Sequence, residues 1–179
     1  MKSPRDLGLP YSSWRRGQTL AIRTAQYAKT PHVVIQGSTG SGKSLIAAAL
    51  TRLDDRRWVT LTATKGLMEQ YSTLFSFLYD IRGMSNYECI AARDEFRNLF
   101  SLRRGPVMCD DGPCHGGARC SLKDLGCLYF DRYRNAVAHR TPLTNYAYYL
   151  AIRRYGKGMG MAQGLLCDEA HALPEQLMA

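Results

Sequence analysis

The sequence predicts an α/β fold: a parallel sheet flanked by helices and interrupted by a small irregular or helical insertion. Two observations carry this reading. Short β-branched apolar runs alternate with helical patterns over residues 1–81 and again over 141–179. Between them, from 82 to 140, cysteine, glycine and arginine dominate and the alternation is lost. Strand–helix alternation builds parallel sheets, because a parallel pair needs a crossover connection. A chain of 179 residues has room for one core and an excursion from it.

Each element has its own local signal. "RGQTLAIRTAQYAK" (16–29) reads as a helix, and "HVVIQG" (32–37) as a short buried strand ending in glycine. "SLIAAALTRL" (44–53) is strongly helical, and "RWVTLTAT" (57–64) is a second strand. In "KGLMEQYSTLFSFL", Leu67, Tyr71, Leu74, Phe75 and Leu78 fall on one helical face. "TPLTNYAYYLAIRRY" reads as a strand end running into a helix, and "GLLCDEAH" (164–171) as a strand that ends in acids. The glycines of "YGKGMGMAQG" precede a strand, whereas a nucleotide fingerprint follows one, so this stretch reads as a mobile loop.

Lysine and arginine number 24 against 15 acids, a net charge of +9 that points to a polyanionic partner such as nucleic acid. No run approaches the ~18 apolar residues of a membrane span, and "MKSPRDLGLPYSSW" lacks the apolar segment of a signal peptide. The expectation is an intracellular protein without membrane association, cytoplasmic or nucleoid-associated. There, clustered cysteines bind metal more often than they form disulfides.

Gly37-Ser38-Thr39-Gly40-Ser41-Gly42-Lys43-Ser44 fits the P-loop pattern, between an expected strand and an expected helix. Glycines let the backbone wrap phosphate oxygens, with N–H groups and a helix N-terminus facing the negative charge. Lys43 is placed to reach the β- and γ-phosphates of ATP, and the Ser44 hydroxyl to ligate Mg²⁺. The loop needs a carboxylate partner, which Asp168 and Glu169 supply at the end of an apolar run. Asp168 would hold the magnesium and Glu169 would orient or deprotonate the attacking water. Cys167 reads as a small buried hydrophobe beside them.

Asp168-Glu169-Ala170-His171 spells a DEAH box, and here the chain resembles the iron–sulfur branch of superfamily 2 DNA helicases, the DinG/XPD family. The resemblance spans nearly the whole chain. It implies a RecA-like motor domain that hydrolyses ATP–Mg²⁺ while moving on single-stranded or forked DNA. "YSSWRRGQ" offers Tyr11 and Gln18 for seating the nucleotide. "TLTATKGLMEQY" resembles the family's motif Ia, placing Thr62, Thr64 and Lys65 near the nucleic-acid backbone, and His171 would couple hydrolysis to motion. The resemblance further implies a second RecA-like domain, in the same or another chain, that closes over the nucleotide with an arginine finger. Without it, this chain is expected to bind ATP weakly and turn it over slowly.

"CDDGPCHGGARCSLKDLGC" (109–127) packs four cysteines into a short segment, with Cys89 ahead of it. Glycines around Cys114 and Cys120 suit a backbone wrapped around a cluster. In the resembled family a four-cysteine iron–sulfur insertion lies between motif Ia and the DEAH box. Cys127 in "CLYFDRYRNAVAHR" and Cys89 in "SNYECI" match its last and first ligands, with Leu128 where the family has proline. The expected set for a 4Fe–4S cluster is Cys89, Cys114, Cys120 and Cys127. Cys109 is an alternative to Cys114, and Zn²⁺ an alternative metal whose usual tight ligand pairs fit these gaps less well. Arg93, Arg97, Arg103, Arg104, Arg119, Lys123, Arg132 and Arg134 are candidates to track DNA phosphates, with Tyr129 or Tyr133 to stack on bases. A non-enzymatic nucleic-acid-binding module with a structural zinc or a redox-sensing cluster is the competing reading.

Overall fold

The computed structural model describes residues 1–94 and 105–178. Arg97, Arg103 and Arg104 lie outside the described residues. The chain divides into two compact units, one formed by Met1–Tyr79 with Arg140–Ala179, the other by Asp80–His139. No helix among the described residues is long and apolar enough to cross a membrane.

The first unit is an α/β layer structure. Helices α1 (Gln18–Gln26), α2 (Lys43–Leu53) and α3 (Lys65–Leu74) alternate with β1 (Trp58–Thr62), followed by the two-residue β2 (Tyr79–Asp80). The chain then supplies β3 (Pro142–Asn145) with helix α6 (Tyr146–Tyr155), and β4 (Gly164–Cys167) with the short C-terminal α7 (Leu173–Met178). Sheet order is β2-β3-β1-β4. β1 runs parallel to both neighbours, with Leu61 opposite Thr144 on one side and Cys167 on the other. The apolar stripe of α2 (Leu45, Ile46, Ala49) meets Met68, Tyr71 and Phe75 in the core, together with Ile22 and Leu143. Thr64 caps α3 by accepting from Leu67 N at 3.2 Å, and Asn145 caps α6 from Tyr148 N at 2.8 Å.

Three expectations are corrected. Residues 32–37, expected as a buried strand, form no ladder, and Val34 is 91% exposed. A β-branched sequence favours an extended chain, but a strand exists only where a neighbour accepts its hydrogen bonds, and none among the described residues pairs with this segment. Cys167, expected to be buried, is exposed, because β4 is the outer strand of the sheet. Helix α3 ends at Leu74, which is 43% exposed and not on the buried face as expected, and Phe75 and Leu78 reach the core from the turn that follows it. The stretch "YGKGMGMAQG" is a loop as expected. Arg57 braces it, donating to the carbonyls of Met159 and Met161 at 2.8 and 3.2 Å.

The second unit carries little regular structure. It holds α4 (Ile90–Asp94), a run of tight turns through residues 109–117, and α5 (Leu128–Ala138), with Cys127 as its N-cap residue. An antiparallel bridge joins Glu88 to Met108, with Cys89 N donating to Val107 O at 2.7 Å and Cys109 N to Tyr87 O at 2.8 Å. Tyr129 is buried in an aromatic cluster, edge-on to Tyr87 and stacked on Tyr133.

Candidate functional site: the phosphate loop, the acidic strand tip and the thiols

Residues 37–42 wrap into a loop that passes directly into α2 at Lys43. Gly40 and Gly42 take left-handed φ of 78° and 83°, a conformation that costs a residue with a Cβ about 1–2 kcal/mol. Gly42 has a second reason to be glycine. A Cβ there would lie 2.3 Å from the Gln18 amide nitrogen. Buried Gln18 uses that nitrogen to donate to Ser41 O at 3.0 Å, while its oxygen accepts from Arg15 N at 2.8 Å. The Arg15 guanidinium donates to Gly40 O at 2.7 Å. Two side chains from the start of the chain therefore brace the loop from outside. The Lys43 ammonium lies over the loop, donating to Gly37 O and Ser38 O at 3.1 and 3.3 Å.

The acidic tip arrives from β4. The Ser44 hydroxyl donates to Asp168 Oδ2 at 3.5 Å, across 124 residues of chain. Asp168 Oδ2 also accepts from the Tyr71 hydroxyl at 2.7 Å, and Oδ1 from the Glu169 backbone N–H at 3.0 Å. Tyr146 donates to the Asp168 main-chain carbonyl at 2.8 Å. Glu169 takes a left-handed φ of 53°. Among the described residues it is the only non-glycine in that region, and such strain concentrates at functional sites. His171 Nδ1 lies 3.2 Å from the Glu169 carboxylate. Burial first, and then the Asp168 charge, push the Tyr71 phenol pKa upward, so the hydroxyl stays a proton donor.

The loop and the two acids share one cleft of about 350 Å³, lined by Tyr11, Arg15, Gln18, Thr39, Gly40, Gly42, Lys43 and Ser44, by Leu67, Gln70 and Leu74 of α3, and by Asp168 and Glu169. Tyr11, Gln18, the loop and both acids are thus brought together. The spacing of motifs did not flag Arg15 or a catalytic-side use of Tyr71. Nothing local marks Tyr71, which reads as one more apolar position of α3.

The residues expected near nucleic acid fare differently. Lys65 is exposed at the start of α3. Thr62 is fully buried, with its hydroxyl donating to Thr64 O at 3.2 Å. Arg134 is engaged internally, facing Asp131 and Asp124 and donating to the carbonyls of Lys123 and Asp124. Arg132 lies 3.6 Å from Asp80. Tyr129 is closed off within its aromatic cluster.

In the second unit Cys89, Cys109 and Cys127 are buried, and Cys114 and Cys120 partly so. Cys109, expected as the spare thiol, is the most buried of the five, at 0% exposure. Burial pushes its pKa up to about 12, helped by the neighbouring Cys127, Cys89 and Cys114. Cys114 is pushed up by burial and by Cys120, Cys127 and Cys89. Cys109 and Cys114 thus lie close enough to the other thiols to feel their charge. Even so, no group of three or more His, Cys, Asp or Glu side chains among the described residues converges at metal-binding geometry. Buried Gly112 lets its backbone pass against a thiol, since a Cβ there would stand 2.7 Å from Cys89 Sγ. Cysteine sulfur is the donor type that iron–sulfur clusters and zinc take.

Comparison with protein-family models gives no match for this chain. A search of curated proteins gives none either.

Proposed function

We propose that this chain is an ATP–Mg²⁺-binding, RecA-like motor domain of an iron–sulfur superfamily 2 DNA helicase, with Asp80–His139 as its cluster-bearing insertion. The observation that carries the reading is the convergence of Gln18, Lys43, Ser44, Asp168 and Glu169 on one cleft, although the loop and the acids lie 124 residues apart in sequence. Convergence of a phosphate-binding turn, a hydroxyl and a carboxylate is what magnesium–nucleotide chemistry requires.

Phosphate would take over the Lys43 ammonium from the Gly37 and Ser38 carbonyls, because a charge-assisted contact outcompetes a neutral one. Loop N–H groups would hold the remaining oxygens, with Ser44 and Asp168 facing the metal and Glu169 beside the water. Four of the five thiols at Cys89, Cys109, Cys114, Cys120 and Cys127 would hold the cluster, whose contribution is to stabilise a unit with little apolar core of its own. Single-stranded DNA is the proposed polyanion, supported by the +9 charge and exposed Lys65.

Binding of a fluorescent ATP analogue tests the proposal, and it needs no second domain. Wild-type protein should bind in a magnesium-enhanced manner, and Lys43→Ala should lose at least tenfold in affinity, the scale of one charge-assisted contact. Equal, magnesium-independent binding by both proteins would favour a non-enzymatic binding module.

A further inference from the structure

Tyr71 is fully buried in the core, with its ring edge-on to Phe75 at a centroid distance of 5.6 Å. Phenylalanine would fill the same space, so packing explains the ring and leaves the hydroxyl to be explained. That hydroxyl reaches out of the core and donates to Asp168 Oδ2 at 2.7 Å. The same oxygen receives the Ser44 hydroxyl at 3.5 Å, and Oδ1 receives the Glu169 N–H at 3.0 Å. With a hydrogen bond on each oxygen, the carboxylate cannot turn about Cβ–Cγ without breaking one. Tyr146, from a different helix, holds the main-chain carbonyl of the same residue at 2.8 Å. One tyrosine fixes the side chain of Asp168, and the other fixes its backbone.

We infer that Tyr71 is a positioning residue that pre-aims the Asp168 carboxylate, together with Ser44, at a divalent cation. The inference rests on the reading of the cleft as an ATP–Mg²⁺ site and assigns the metal's orientation to a core residue of α3. A carboxylate held in place loses less freedom on meeting the ion, so the hydroxyl acts on metal affinity and leaves the phosphate contacts of the loop untouched.

The test is a magnesium titration of fluorescent ATP-analogue binding with the full 179-residue chain. Tyr71→Phe keeps the buried ring, and near-ultraviolet circular dichroism checks that its packing is native. The expected result is unchanged affinity without magnesium and about a tenfold rise in the magnesium concentration for half-maximal enhancement, the scale of one hydrogen bond to a charged group. In an Asp168→Ala background, Tyr71→Phe should add nothing. An unshifted magnesium midpoint, an equal shift in the Asp168→Ala background, or a parallel loss of magnesium-free affinity overturns the positioning role while leaving the ATP site standing. If wild type shows no magnesium-dependent binding, the ATP-site reading falls and takes this inference with it.

Discussion

Replacing Gly42 by alanine separates two reasons for a glycine at the end of the phosphate loop. At φ 83° the added Cβ costs about 1–2 kcal/mol in backbone strain alone. The Cβ would also sit 2.3 Å from the Gln18 amide nitrogen. Gln18 is buried and cannot swing aside without giving up its bonds to Ser41 O and Arg15 N. Two neutral hydrogen bonds are worth about 1–3 kcal/mol together. Gly40 is the internal control, because its φ is 78° and a Cβ there meets nothing within 4 Å. Gly40→Ala should therefore cost about 1–2 kcal/mol, and Gly42→Ala about 2–5 kcal/mol. Urea unfolding at constant m-value measures both. In a Gln18→Ala background the excess at Gly42 should vanish. Equal costs for the two alanines in the wild-type background would refute the claim that Gln18 braces the loop through this contact.

Two further outcomes follow from the same geometry. Gly112→Ala places a Cβ 2.7 Å from Cys89 Sγ and 3.3 Å from Cys109 O. Overpacking of about 1–3 kcal/mol should destabilise the cysteine unit and, on the proposal that this unit holds an iron–sulfur cluster, lower iron and sulfide per chain in anaerobically purified protein. Gly116→Ala, whose nearest contact is an ordinary 3.7 Å, should not. Matching iron content in the two variants would remove the steric argument.

Burial holds the pKa values of Tyr71 and Tyr146 above the ordinary value of 10.0. Folding then favours their protonated forms. That stabilisation is complete below pH 10 and is lost as pH rises beyond it, because the unfolded chain ionises first. Stability measured between pH 9 and 11 should fall less steeply in Tyr71→Phe than in wild type, and superimposable profiles would argue against a buried, donating phenol.

The parts of the fold legible from sequence are those with short-range causes. Helical spacing of apolar residues marked α2 and α3, and the DEAH tetrad marked the tip of β4, because a helix stripe and a strand end are each written within a few residues. The phosphate loop was legible for the same reason, since its glycines answer to local φ and local phosphate contact. What failed depended on neighbours. Val33, Val34 and Ile35 have strand chemistry but no strand beside them. Thr62 carries a motif's polar group and is spent inside the sheet. Cys167 lies on the open face of β4 with Leu165, whereas Leu166 between them packs on the core.

The sequence by itself determined which residues can grip a phosphate, carry an acid or offer a thiol, for these are properties of residue type and near spacing. Only the tertiary structure decided which of them meet. Tyr71 and Asp168 stand 97 residues apart and join through one hydrogen bond. That bond exists because α3 packs on β3 and β1, and β1 pairs with β4, whose end carries Asp168.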